Sequence, residues 1–112
     1  MQPYRERLLQ REEELLAAIA RTGSEVRQNN DVEAQDPLDK ATQAYDKESL
    51  LQQQDSDRNQ LLQVQEALRR MDRGEFGKCI ECGRPLDPKR LEAVPWTGYC
   101  LECQERRDRE ML

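Results

Sequence analysis

Apolar side chains recur at helical spacing along residues 3–28: Leu8, Leu15, Ile19 and Val26 stand seven, four and seven residues apart, with Leu9 and Leu16 widening the stripe. This rhythm predicts an amphipathic helix close to a heptad repeat. Pro3 suits a first turn, and "EEE" at 12–14 followed by "LLAAIA" has high helix propensity. Gly23 weakens the helix without ending it. The stretch "QNNDVEAQD" from 28 to 36 then loses the periodicity and gains Asn and Asp, which bond their own backbone and make turns.

A second helix is predicted from Pro37 to about Met71, with Leu38, Ala41, Tyr45, Leu50, Leu51, Leu61, Leu62, Val64, Leu68 and Met71 as its apolar face. The polar run "QQQDSDRNQ" at 52–60 interrupts that face. Leu50 and Leu61 are eleven residues apart, about three turns, so both still lie on one side. A helix of this length, roughly 50 Å at about 1.5 Å per residue, cannot be buried in a 13.2 kDa globule and is expected to project. The simplest arrangement is an antiparallel hairpin whose far tip is the 29–36 turn. Gly74 supplies a C-cap that ends the second helix.

Composition agrees with long exposed helices. Of 112 residues, 36% are hydrophobic and 37% charged, so burial is expected along a narrow seam rather than in a large core. Residues 1–68 hold 8 Lys/Arg against 14 Asp/Glu, a net −6, whereas 69–112 hold 10 against 9, a net +1. An acidic first part argues against sequence-independent binding to phosphates. No apolar run approaches the roughly 20 residues that cross a bilayer, and the N-terminus lacks the apolar core of a secretory signal. A cytoplasmic protein without membrane attachment is expected.

The cysteines change the picture of the second part. "CIECGRPLDPKRLEAVPWTGYCLEC" spaces Cys79, Cys82, Cys100 and Cys103 as C-x2-C-x17-C-x2-C. Four thiolates at this spacing suit tetrahedral Zn²⁺. Two redox pairs are the competing reading, but such motifs usually sit on a βαβ frame that the pattern here lacks. With every ligand position filled by protein, one structural zinc is expected, on which folding of the region depends. Leu86, Leu91, Val94, Trp96 and Tyr99 are the side chains available to pack around it, and "LECQERRDREML" reads as a terminal helix. The expected fold is therefore mainly α: an antiparallel coiled-coil hairpin over 1–73 with its tip near 29–41, joined to a four-cysteine zinc finger and C-terminal helix over 74–112.

Catalytic signatures are absent. There is no His, no Gly-rich phosphate loop and no nucleophile motif, and a solvated hairpin offers no closed pocket to tune a carboxylate. An enzyme is not expected.

The combination of "DPLDKA" at 36–41 with "GEFGKCIECGRPLDPKRLEAVP" at 74–95 and "CLEC" at 100–103 resembles the DksA/TraR family of bacterial transcription regulators. The likeness is colinear from about residue 36 onward and looser over the first helix, and the chain is expected to begin near the coiled coil of longer members. The resemblance implies a monomer that binds RNA polymerase without reading DNA sequence. It also implies that the hairpin enters the enzyme's secondary channel to alter initiation, and that Asp36, Asp39 and Ala41 are tip residues. Some members act with guanosine tetraphosphate through basic positions. Here Gln63, Val94 and Gln104 fall on three of these and Arg90 remains as a possible contact, so strong alarmone dependence is not expected. Ser56 falls on another basic position, which implies weaker affinity for polymerase.

Local rules offer a second explanation of "DPLDKA": Asp36 suits an N-cap, Pro37 the first helical position, and Asp39 the positive end of the helix dipole. The two roles are compatible. Competing functions are a Gre-like transcript-cleavage factor, a zinc ribbon that binds nucleic acid through the weakly basic part after 69, and a coiled-coil scaffold.

Overall fold

The computed structural model describes residues 2–31 and 34–110, which form four helices: α1 (Gln2–Asp31), α2 (Pro37–Asp72), α3 (Pro88–Ala93) and α4 (Leu101–Glu110). Among the described residues there is no strand, only an isolated antiparallel bridge between Lys78 and Pro85. None of the described helices is long and apolar enough to cross a membrane. The mainly α fold matches the expectation, with the first helix running through Gly23 and the second spanning the polar run 52–60.

Both ends of α2 are specified locally. At its start, the Asp36 side chain accepts the Asp39 amide at 2.8 Å while the Asp36 carbonyl accepts Lys40 N–H at 2.9 Å, an N-cap followed by Pro37. At its end, Gly74 adopts φ 73°. Its amide donates to the Met71 carbonyl at 3.1 Å, and the Glu75 amide reaches the Arg70 carbonyl at 2.8 Å. This is the paired arrangement of a Schellman stop, which needs a left-handed residue that glycine provides cheaply.

Packing divides the chain into two units, residues 13–61 and residues 1–12 with 62–112. In the first, α1 and α2 run antiparallel. Gln54 Nε2 donates to the Ile19 carbonyl at 3.5 Å, and Gln43 and Asn29 exchange amide-to-carbonyl hydrogen bonds. Among the described residues of this unit Leu15 and Thr22 are buried, flanked by half-buried Ile19, Val26, Leu50, Gln54, Asp57 and Leu61. In the second unit, Leu8, Val64, Ala67, Phe76, Leu86 and Leu91 form the core together with Cys79 and Cys103.

The seam is narrower than the leucine pattern suggests. In the pairs Leu8–Leu9, Leu15–Leu16, Leu50–Leu51 and Leu61–Leu62, the first member is buried or half-buried and the second exposed. Neighbours on a helix diverge by about 100°, and a two-helix seam is wide enough for only one of them. Leu9 and Leu16 therefore do not widen the stripe, and Leu38, Ala41, Tyr45, Leu51 and Leu62 do not belong to the apolar face assigned to α2. Gln43, Gln54 and Asp57 occupy seam positions instead. Leu15 and Leu16 provide the test. Leu15→Ala is expected to destabilise the helical pair by about 2–4 kcal/mol and Leu16→Ala by no more than about 0.5 kcal/mol, read by urea unfolding followed with circular dichroism.

Candidate metal centre and acidic helix turn

The metal centre is assembled from a knuckle and a helix start. Gly77 and Gly83, at φ 90° and 75°, turn the backbone around the first cysteine pair. The Cys79 amide donates to the Arg84 carbonyl at 2.8 Å, the Gly83 amide to the Cys79 carbonyl at 3.0 Å and the Leu86 amide to the Gly77 carbonyl at 2.8 Å, closing the knuckle. Cys100 immediately precedes α4 and Cys103 lies in its first turn. The Ile80 amide bonded to the Gly98 carbonyl at 2.8 Å ties one half to the other.

All four Sγ atoms lie within 4.8 Å of one another, with Cys82 and Cys100 separated by 3.8 Å. Zn–S bonds of about 2.3 Å in a tetrahedron give S···S edges of about 3.8 Å, whereas a disulfide needs about 2.05 Å. The electrostatics point the same way. Burial pushes the Cys79 thiol up, but the backbone amides of Cys82, Cys100 and Glu81 outweigh it and bring the group to about 6. A hydrogen bond with Cys100, then burial and the other two thiols, hold Cys103 up at about 12. One sulfur is prepared for negative charge while its neighbour resists it, because four thiolates at this separation repel unless a cation sits among them. The donor set is thus that of one structural zinc, coordinated by Cys79, Cys82, Cys100 and Cys103, with no position left for a reactive water. Arg106 Nη2 stands 3.6 Å from Cys103 Sγ, and Arg84 pairs with Glu102 at 3.6 Å.

The acidic turn is built differently. Asp36 is held by its capping bond, while Asp39 and Ala41 are exposed in the first turns of α2. Asp39 borders a groove with Glu25, Asp46 and Tyr45. Asp31 is exposed at the close of α1, and Glu33, which follows it in sequence, lies outside the described residues.

Residues 74–109 match the prokaryotic dksA/traR C4-type zinc finger. Over 106 residues the chain is 33% identical to the RNA polymerase-binding transcription factor DksA of Caulobacter vibrioides, covering 95% of this chain and 74% of that protein. The chain belongs to the DksA/TraR family. DksA of Escherichia coli is 30% identical over 79 residues, 68% of this chain and 52% of that protein. The structure of transcription factor DksA2 from Pseudomonas aeruginosa superposes with a TM-score of 0.80 at 29% identity, covering 96% of this chain and 82% of that one.

The DksA/TraR zinc finger here is enclosed by side chains that periodicity did not single out. Phe76 is buried and packs against Tyr4 with centroids 5.6 Å apart and ring planes tilted by 48°, while Arg11 lies over Trp96 at 5.8 Å and Arg107 over Tyr99 at 4.3 Å. Leu86 and Leu91 are buried as expected, and Val94, Trp96 and Tyr99 are half-buried. Arg70 is the unforeseen residue. It is 4% exposed, its Nη2 donates to the Thr97 carbonyl at 3.3 Å, and its buried Nε has no partner among the described residues. Burial lowers its pKa. Nothing in its last-turn position distinguished it from Arg69, which pairs with Glu66 at the surface.

Arg90 donates through Nε to the Tyr99 carbonyl at 3.1 Å and borders a cleft of ≈ 570 Å³ shared with Gln63, Val94, Gln104, Arg70 and Arg107. Gln63, Arg90, Val94 and Gln104 thus border one cleft although they lie far apart in sequence.

Metal analysis is expected to return one zinc per chain. Cys82 is the exposed ligand, so Cys82→Ser removes a thiolate without opening the core. Zinc retention against a chelator should fall by more than about tenfold, with a shift in Trp96 emission as the surrounding region loosens.

Proposed function

We propose that the chain is an RNA polymerase-binding transcription regulator of the cytoplasm. In this reading a monomer inserts its acidic hairpin turn into the polymerase secondary channel and modulates initiation through Asp36, Asp39 and Ala41. The observation that carries the reading is the division of labour at 36–39. Asp36 is consumed by the cap, while Asp39, one turn on, presents its carboxylate at the surface. Capping alone requires the first and not the second. The Caulobacter vibrioides and Escherichia coli relatives are named RNA polymerase-binding transcription factors, which supports polymerase as the partner.

The zinc unit serves as scaffold rather than as a reactive centre, since its metal is closed by four sulfurs. The cleft around Arg90 carries uncharged Gln63, Val94 and Gln104 where basic contacts to an alarmone are expected. Regulation by guanosine tetraphosphate is accordingly weak in this reading. Ser56 in place of a basic residue on α2 implies modest polymerase affinity.

Asp39→Asn tests the tip. Zinc content, helicity and association with core polymerase are expected to persist, while the effect on initiation in a purified transcription assay is lost. An Asp39→Asn protein as active as the parent would remove the tip from the mechanism.

A further inference from the structure

Gly23 stands inside α1 with neither of the constraints that usually place a glycine in a chain. Its φ lies outside the left-handed region, and a methyl group at this position would meet only Gln54 Nε2 at 3.5 Å and Arg27 Nη1 at 3.7 Å, which are ordinary contacts. Alanine fits there, and it favours the helix over glycine by about fivefold. The neighbouring side chains weaken the same turn. The Thr22 hydroxyl donates to the Ala18 carbonyl at 2.9 Å, a bond back along the helix that tends to bend it. Gln54 Nε2 reaches from α2 to the Ile19 carbonyl at 3.5 Å. The two carbonyls that receive the Thr22 and Gly23 amides within the helix therefore each carry a second donor. A glycine beside a serine, here Gly23 and Ser24, and side chains that intrude on the hydrogen-bond ladder are both causes of helix bending.

Burial stops at the same level. Among the described residues of 13–61, Leu15 and Thr22 are buried. From Ser24 to the turn and back along α2 to Leu50, apolar contact is limited to half-buried Val26, Ala34 and Leu50, and the hydrogen bonds between Asn29 and Gln43 complete the pairing. Residues 24–50 also hold three Lys or Arg against seven Asp or Glu, a net −4. Glu25 of α1 shares a groove with Asp39 and Asp46 of α2, so like charges face one another across the pair. Segments with few buried apolar contacts are the ones that open locally while the rest of a fold stays closed.

We infer that residues 22–24 form a hinge, about which residues 24–31 and 37–50 open as one unit while 13–21 and 55–61 stay paired. The inference concerns the chain by itself and stands apart from the function proposed above. Its consequence falls on the acidic turn. The bond from the Asp39 amide to Asp36 lies wholly within the first turn of α2, so opening changes the direction in which Asp39 is presented without undoing the cap that presents it. Gly23 sets how often this happens, because it is the residue whose helical state is lost at least cost.

Amide hydrogen exchange of the full-length zinc-bound protein, read peptide by peptide, tests the hinge. Stretches 24–31 and 37–50 are expected to share one level of protection, at least about tenfold below that of 13–21 and 55–61. Gly23→Ala should slow exchange in both outer stretches by about fivefold and leave the inner ones unchanged. Protection that declines evenly from Thr22 to the turn marks simple fraying, and a Gly23→Ala effect spread equally over 13–61 marks a general gain in helix stability. Either result overturns the hinge, as does a Gly23→Ala protein that exchanges like the parent.

Discussion

A shortage of apolar side chains governs this protein. With 36% hydrophobic residues the chain cannot enclose a large core, and its two units meet the shortage in different ways. Residues 13–61 confine burial to a seam one side chain wide, where Leu15 and Thr22 are buried and polar Gln43, Gln54 and Asp57 complete the contact. The unit built from residues 1–12 and 62–112 uses four cysteines as well as Leu8, Val64, Phe76 and Leu91. There the cation among the sulfurs supplies cohesion that hydrocarbon alone does not.

The two units also treat charge oppositely. Around the cysteines, backbone amides and Arg106 converge on sulfur, so that negative charge is held within the structure. At the start of α2, carboxylates are left at the surface beside an exposed tyrosine and leucine. A single capping carboxylate would suffice to begin the helix. The capping bond fixes the helix start from which the additional acidic groups are displayed.

Much of this organisation is legible in the sequence because it is local. The cap at Asp36 and Pro37, the stop at Gly74 and the C-x2-C pairs depend on residues a few positions apart, and the structure forms each where the pattern places it. The paired leucines were less informative. In Leu8–Leu9 and Leu15–Leu16 both members are equally apolar, and only the rotation of the helix against its partner decides which is buried. The rotation of α2 depends on Gln43 meeting Asn29, a contact between polar residues that no count of hydrophobic positions detects.

Sequence alone was enough for the helical class, the start and stop of α2 and the identity of the zinc ligands, since these follow from backbone preference and the donor chemistry of sulfur, whereas α3 and the continuation of α1 to Asp31 came only with the structure. Tertiary structure alone decided that Arg70 is enclosed beneath the Thr97 carbonyl, that Gln63, Arg90, Val94 and Gln104 share one cleft, and that Leu38, Ala41 and Tyr45 face outward. The reason is the same in each case. Burial depends on which surfaces meet across the fold, and residues separated by tens of positions carry no local sign of that meeting.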